Sequence, residues 1–298
     1  MIKQDLDNLM FNLKKEIITN KYRNIQLPIN FKFNQRSLIK NKTDIFLFDV
    51  KLPKNIELKT KDVKIKLDTK LNYECLKINI ERLLEYSDTG NIYLFSNYKQ
   101  DFTTDTRVIN ITYNIDYNNL MFERVLCMYN FVNSKFFKNN TCFVDSDAFV
   151  KIDKLNLFDN EFDVALTHRD IPGFMPINEG VFFVKVQNIE NVKNFFKEYL
   201  SNFLTISESD LIKKYYNMNI KQWRGGQLSL NMIVYRNGSK FLDYESIEDT
   251  KFKLLILPVY YYNFSPEVGK QYSLNSIKQK KVLHFKGNRK KYFSLRNL

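Results

Sequence analysis

Thr141-Cys142-Phe143-Val144-Asp145-Ser146-Asp147-Ala148-Phe149-Val150 sets two carboxylates, one residue apart, directly after an apolar, β-prone run. Such a run reads as a strand buried on both faces of a sheet. Open α/β sheets bind their ligands beyond the carboxyl ends of the strands. On a continuous extended strand, Asp145 and Asp147 point to one side and Ser146 to the other. Two convergent oxygens suit a hard divalent cation that keeps further positions for phosphate. An acidic pair at a strand end also caps helices or faces water, so partners elsewhere in the chain decide what it means.

Upstream, Asp44-Ile45-Phe46-Leu47-Phe48-Asp49 reads as the first strand of the same sheet, ending in a carboxylate. Residues 70–86 carry Leu76, Ile80, Leu83 and Leu84 at helical spacing and stop near Asp88-Thr89-Gly90. Further strands are expected at 91–96 and 107–111. A helix over 118–131 brings Met121, Val125, Met128 and Tyr129 inward and carries Arg124. Downstream, 162–166 and 180–186 read as strands separated by the polar loop Thr167-His168-Arg169-Asp170. Residues 189–237 are predominantly helical, and 254–260 form a late strand. Strands alternating with helices imply a largely parallel sheet with right-handed crossovers. Ahead of all this, residues 3–19 place Leu6, Leu9, Met10, Leu13 and Ile17 on one stripe, for packing on the body or for a membrane surface. Residues 20–43 read as an irregular connection.

At 298 residues and 44% hydrophobic content, the chain is long enough for one large core. Lys and Arg exceed Asp and Glu by 13, which favours an anionic partner. The excess is concentrated: after Glu267 no acidic residue follows, while nine Lys and Arg do, so the C-terminal end is the anion-facing end. The other reading of that stretch is a solvated tail. Cys75, Cys127 and Cys142 have no metal-ligand spacing and are odd in number, which points to reduced core residues and a cytoplasmic setting. Asp5, Asp7 and Glu16 among the first apolar positions lead us to expect no ordinary secretory signal. No apolar run approaches the ~20 residues of a membrane span.

The second half of a metal-diphosphate site is found in Val282-Leu283-His284-Phe285-Lys286-Gly287-Asn288-Arg289-Lys290. His284 is a third ligand or a packing residue. Gly287 lets a backbone N–H approach phosphate, and Lys290 brings an ammonium to neutralise it.

With these residues in view, the sequence resembles the metal-dependent glycosyltransferases of the GT-A fold, family 8 in particular. That family pairs a strand-borne Asp-x-Asp with a late His-x-x-Gly-x-x-Lys, matched by Asp145, Asp147, His284, Gly287 and Lys290. Its Asn-x-Gly before a strand is matched by Asn178-Glu179-Gly180, and its Asp-Gln with a following Asn in part by Gly226-Gln227 and Asn231. Its Leu-Pro…Asn stretch resembles Leu257-Pro258 and Asn263. The likeness covers roughly residues 44 to 292, with the motif order kept.

The resemblance implies an α/β fold of GT-A type, a mostly parallel central sheet flanked by helices with helical C-terminal additions. Residues 1–43 would pack on a domain of 44–298, with a nucleotide-binding half about 44–150 and an acceptor and sugar half, with the basic C-terminal segment, about 151–298. It implies metal-dependent transfer of a hexose from a nucleoside-diphosphate sugar, UDP-sugar favoured, to a glycan, lipid or protein acceptor, with retention of anomeric configuration. Asp147 and His284 would bind Mn²⁺ or Mg²⁺, and Asp145 the metal and the donor ribose. Gly287 and Lys290 would hold the diphosphate. Arg124 would contact the donor, or else pair with a nearby carboxylate. Asp49 would lie beside the base or ribose, or else in a surface turn. Asn178 and Gln227 would sit beside the donor sugar, or else satisfy loop backbone and begin a helix. His168, Arg169 and Asp170 would meet a sugar, or else form a polar surface loop, and Asp170 or Glu179 would be the base of an inverting reaction. The basic end would touch an anionic membrane face, and no nucleic acid is expected.

The chain departs from the pattern at Gly226, where the family has Asp, at Glu179, where a small residue is usual, and at Lys291-Tyr292, where Pro-Trp is usual. Two rival functions are weaker. A haloacid-dehalogenase-type phosphatase needs Thr or Val where Phe149 stands, and a later acidic cluster. A basic nucleic-acid or membrane-binding module leaves the strand-end carboxylates without a purpose.

Overall fold

The computed structural model describes the chain except for residues 1–2, 21–41, 54–57, 60–63, 66–68, 102, 170–175, 217–219, 222–223, 236–240, 249–250, 268, 288 and 291–298. In chain order its elements are α1 (Lys3–Asn20), β1 (Thr43–Asp49), the short strands β2 (Leu58–Lys59) and β3 (Lys64–Ile65), α2 (Thr69–Glu85), β4 (Thr89–Ser96), β5 (Val108–Thr112) and α3 (Leu120–Val132). Then follow β6 (Thr141–Asp145), β7 (Ala148–Val150), β8 (Val164–His168), β9 (Ile177–Val184), α4 (Ile189–Glu208), α5 (Asp210–Tyr216) and α6 (Gly225–Ile233). The last are β10 (Glu245–Glu248), β11 (Lys253–Pro258), α7 (Val259–Tyr262), α8 (Leu274–Lys278) and β12 (Val282–His284).

One sheet of eight strands, ordered β10-β11-β8-β9-β6-β1-β4-β5, carries the fold. β6, β1, β4 and β5 are mutually parallel, as the alternation of strands and helices predicts. β9 is the exception: it runs antiparallel to both β6 and β8, and β10 is antiparallel to β11. The sheet is therefore mixed.

Both faces are covered, which is why the strands read as unbroken apolar runs. On one face Tyr93, Phe46, Phe143 and Phe182 stand in register across β4, β1, β6 and β9. The Phe46 and Phe143 rings lie 4.9 Å apart and those of Phe143 and Phe182 5.0 Å apart. Aromatic neighbours across strands stabilise a sheet by roughly 0.5–1.5 kcal/mol per pair beyond area burial. The helices α3 and α4 bring Phe131, Phe195 and Phe196 onto this ladder. On the other face Leu76, Ile80 and Leu83 of α2 pack on Ile45, Leu47 and Leu94. Met10, Leu13 and Ile17 of α1 dock against Ile206, Leu228 and Met232, so these three residues of the stripe are buried in the protein. No helix among the described residues is long and apolar enough to cross a membrane.

Several boundaries differ from the sequence reading. Thr89 and Gly90 begin β4 rather than end α2, because they pair beside Thr43 of β1. Thr167 and His168 are buried strand residues of β8, not a surface loop, and His168 Nε2 meets Asp243 Oδ1 at 2.7 Å. Pro258 closes β11, and 259–262 turn into α7. In the basic C-terminal stretch, Lys280 is wholly buried, its ammonium over the rings of Tyr260 and Phe264, so that charge faces no ligand. All three cysteines are buried and unpaired. The 20–43 connection falls almost entirely outside the described residues.

Candidate functional site

β1 and β6 end level with each other, Phe48 opposite Asp145, so Asp49 lies beside the turn that follows β6. That turn is where the structure departs from a simple extended reading. β6 stops at Asp145, residues 146 and 147 form a turn, and the chain resumes as β7. Asn79 of α2 holds the turn, its Nδ2 donating to the carbonyls of Ser146 at 3.2 Å and Ala148 at 3.0 Å. β7 pairs antiparallel with β12, setting His284 opposite Ala148, and the Phe285 N–H donates to the Asp147 carbonyl at 3.0 Å. This small second sheet brings residue 284 to residue 147 across most of the chain's second half.

His284 Nε2 lies 3.0 Å from Asp147 Oδ1 and 3.3 Å from Asp145 Oδ2. One ligand atom from each of Asp145, Asp147 and His284 lies within 4.8 Å of the other two. The imidazole is 1% exposed, and its other nitrogen is fixed. Asn263 Nδ2 donates to Asn178 Oδ1 at 2.8 Å and to Thr167 Oγ1 at 3.1 Å, so Asn263 Oδ1 faces His284 Nδ1 at 2.8 Å and accepts a hydrogen bond from its N–H. With its Nδ1–H turned to Asn263, the ring aims Nε2 at the two carboxylates, where it donates to them or, once a cation takes the place of that proton, offers its lone pair. A mixed set of two carboxylates and one imidazole, oriented by an outer amide, fits a divalent cation such as Mn²⁺ or Mg²⁺.

Two cations flank the carboxylates. Arg124 on α3 is buried, and its guanidinium pairs with Asp145 Oδ1 at 2.8 Å while donating to the Glu179 carbonyl at 3.1 Å. Lys290 Nζ sits 3.0 Å from Asp147 Oδ2 and also reaches Asn72 Oδ1. Burial pushes both carboxyls up, but Arg124 and His284 outweigh it at Asp145, and His284 and Lys290 at Asp147, so both are held below the usual carboxylate range. Asp49 goes the other way: burial raises it, only partly offset by the Tyr98 hydroxyl that donates to its Oδ2. It is 7% exposed, not a surface turn residue.

Of the remaining sequence candidates, Asn178 lies on β9, where its Oδ1 accepts from Gly180 N at 2.9 Å and from Asn263, so it supports the histidine. Gly287 adopts φ +55° with open space where a Cβ would project, so its requirement is conformational. Gly180 is needed for close approach: a Cβ there would lie 2.4 Å from His284 Cε1 and 2.5 Å from Asp145 Oδ2. Gln227 sits in the first turn of α6, its backbone N–H on the Glu179 carboxylate. Asp170 lies outside the described residues.

The sequence reading gave no role to Asn79, Tyr98 or Asn72, and named Asn263 only within a motif. Each acts through an amide or hydroxyl set by tertiary contacts, which residue spacing does not show. Arg169, Lys286 and Arg289 also gather here: burial lowers Arg169 with Arg289 beside it, and burial lowers Lys286 to about 8 with Arg169, Asp145, Asp147 and Arg289 around it.

No protein-family model and no curated protein matches the sequence. Solved structures similar to the chain include glycosyltransferases. A glycosyltransferase involved in glycosylation of the major capsid of PBCV-1 is 14% identical, over 86% of this chain and 100% of that one, with a TM-score of 0.46. The galactosyltransferase LgtC, in complex with donor and acceptor sugar analogues, is 11% identical over 82% and 87%, at 0.45. GlyE of Streptococcus pneumoniae TIGR4 is 14% identical over 84% of this chain, which spans about half of GlyE, 55%, at 0.47.

Proposed function

We propose that the chain is a metal-dependent glycosyltransferase that moves a hexose from a nucleoside-diphosphate sugar, with UDP favoured, to a hydroxyl of a glycan, lipid or protein acceptor. The observation that carries this reading is the meeting of Asp145, Asp147 and His284, from segments far apart in the chain, between Arg124 and Lys290. It is the constellation expected from the family resemblance, assembled in space.

In this reading Asp147 and His284 hold Mn²⁺ or Mg²⁺, and Asp145 faces the metal and the donor ribose. Lys290 and the Gly287 backbone hold the diphosphate, Arg124 keeps Asp145 ionised and in place, and Asp49 with Tyr98 borders the nucleoside. The ion, when bound, acts as a Lewis acid that stabilises the departing diphosphate. The bond between the anomeric carbon and the diphosphate oxygen breaks with its electron pair on phosphate. The acceptor oxygen bonds that carbon and gives its proton to the diphosphate. Gln227 and Asn178 are neutral and take no proton from the acceptor, in keeping with a retaining transfer in which the diphosphate accepts it; Asp170 as a base would favour inversion. The basic C-terminal end suits a lipid-linked acceptor at the inner face of a membrane, in a cytoplasmic enzyme.

A panel of UDP- and GDP-sugars with Mn²⁺ tests the proposal. We expect slow donor hydrolysis that Asp147→Ala abolishes and His284→Ala strongly reduces. Equal turnover in excess EDTA rejects the metal's role, and no turnover of any sugar nucleotide rejects the reaction.

A further inference from the structure

Gln100 is a buried amide that the protein itself does not satisfy. It is 4% exposed, and neither its Oε1 nor its Nε2 makes a hydrogen bond among the described residues. The amide approaches the Tyr98 hydroxyl without meeting hydrogen-bond geometry, and that hydroxyl already donates to Asp49 Oδ2. Leaving both ends of a buried amide unpaired is unfavourable, and a leucine of similar bulk avoids the penalty. A group kept in this state calls for a ligand or a water to complete it.

Tertiary contacts on both sides fix where it stands. β1 and β4 run parallel with Asp49 opposite Ser96, so the segment after β4 leaves the sheet beside Asp49. Asn97 ties that segment to the one after β1: its Oδ1 accepts from Lys51 N at 2.9 Å and its Nδ2 donates to Lys51 O at 2.8 Å. Tyr98 then reaches Asp49, and Asp101, one residue past Gln100, accepts the Tyr73 hydroxyl of α2 at 3.3 Å. Asn72, next to Tyr73, holds the Lys290 ammonium. Gln100 is therefore bracketed by Asp49 on one side and by the helix that anchors Lys290 on the other, at the edge of the sheet where the carboxylates end their strands. In a nucleoside diphosphate the ribose separates base from phosphates. A diphosphate on Lys290, with its ribose along Asp49 and Tyr98, carries its base to the segment that follows β4.

We infer that Gln100 reads the base of the nucleotide donor, its Nε2–H donating to a ring carbonyl of uracil and its Oε1 accepting from the N3–H. This rests on the glycosyltransferase reading, which supplies the diphosphate that brings the base there. An amide offers one donor and one acceptor side by side, and a ring N–H beside a carbonyl matches both. A site built to hydrogen-bond such a group rejects an analogue that lacks it, because its own polar atoms are then left buried and unpaired.

Calorimetric binding of UDP and of methylenediphosphonate, each with Mn²⁺, to the full chain and to Gln100→Leu tests this. We expect UDP to lose about tenfold or more in the variant, as for a hydrogen bond or two at a desolvated partner. Diphosphonate should keep its affinity, and the urea midpoint should stay level or rise. N3-methyl-UDP, which has no N3–H, should bind the unaltered protein about as weakly as UDP binds the variant. Unchanged UDP affinity in Gln100→Leu overturns the inference, and a lowered urea midpoint alongside it would reveal an internal partner for the amide. Equal losses of UDP and diphosphonate also overturn it, since Gln100 would then support Lys290 rather than read a base. UDP bound by the unaltered protein no more tightly than diphosphonate means that no base is read, while the metal-diphosphate reading stands. If neither binds with Mn²⁺, that reading fails and the base subsite with it.

Discussion

The carboxylate of Glu179 occupies the space that a side chain at position 226 would need: a Cβ built on Gly226 would lie 2.0 Å from Glu179 Oε1. The same carboxylate accepts the Tyr199 hydroxyl at 2.8 Å and pairs with Arg124, whose guanidinium holds Asp145. The residue size at 226 and the orientation of Arg124 are therefore coupled. Glu179 and Gly226 thus form a single packing arrangement, in which the carboxylate comes from β9 and the missing side chain on α6 leaves it room.

Gly226→Ala displaces that carboxylate. Overpacking of this kind costs about 1–3 kcal/mol, and the loss should appear in urea unfolding. Because Arg124 loses a partner, Mn²⁺-dependent binding of nucleoside diphosphate should weaken by about tenfold, the equivalent of 1.4 kcal/mol. Unchanged stability and unchanged binding together would show that Glu179 has room to move.

Gly180 and Gly287 are glycines for different reasons, and alanine should separate them. At Gly180 the new methyl meets His284 and Asp145. Mn²⁺ affinity should fall by about 100-fold, comparable to loss of an oriented ligand shell. At Gly287 the methyl meets nothing, and only the left-handed backbone is strained, at about 1–2 kcal/mol. Mn²⁺ titration of both variants gives the contrast; equal losses would remove the close-approach argument.

Asn263 fixes which imidazole nitrogen carries the proton. Asn263→Ala leaves His284 Nδ1, Asn178 and Thr167 without a shared partner. Outer-shell losses of this sort reduce metal affinity by about 10–100-fold, with the ligands themselves intact. Mn²⁺ affinity equal to that of the unaltered protein would show that Nε2 needs no such orientation.

The parallel part of the fold and the carboxylate pair of Asp145 and Asp147 were legible in the sequence for one reason: buried parallel strands are unbroken apolar runs, and their carboxyl ends carry the polar residues. Ile45, Phe46 and Leu47, or Cys142, Phe143 and Val144, show this without any partner. His284, on the short antiparallel β12, was legible only through its spacing to Gly287 and Lys290. The antiparallel course of β9 was not legible, since Ile177–Val184 has the same composition whichever way it runs. Nor was the turn at 146–147, which depends on Asn79 and on the pairing of β7 with β12. A surface position for Thr167 and His168 was expected from polarity alone, and their hydrogen bonds to Val181 and Asp243 make burial tolerable.

Asp44 gives the sheet a pH dependence distinct from the site. It is fully buried at the start of β1, accepting from the Asn91 N–H at 2.7 Å and from Asn139 Nδ2 at 3.3 Å. Burial, only partly offset by these donors, raises its carboxyl from 3.8 to about 7. Between those values the folded chain holds a proton that the unfolded chain has lost, so stability falls as pH rises through the window. The cost is absent below 3.8 and complete above about 7, with a ceiling of roughly 4 kcal/mol. Asp44→Asn keeps an acceptor for Asn91 and cannot ionise, and Asn139 can turn its own oxygen toward the new amide. The stability of this variant relative to the unaltered protein, from urea unfolding, should rise with pH across that interval and level off above it. Parallel stability curves would mean that Asp44 ionises at its ordinary value, with water reaching the base of β1.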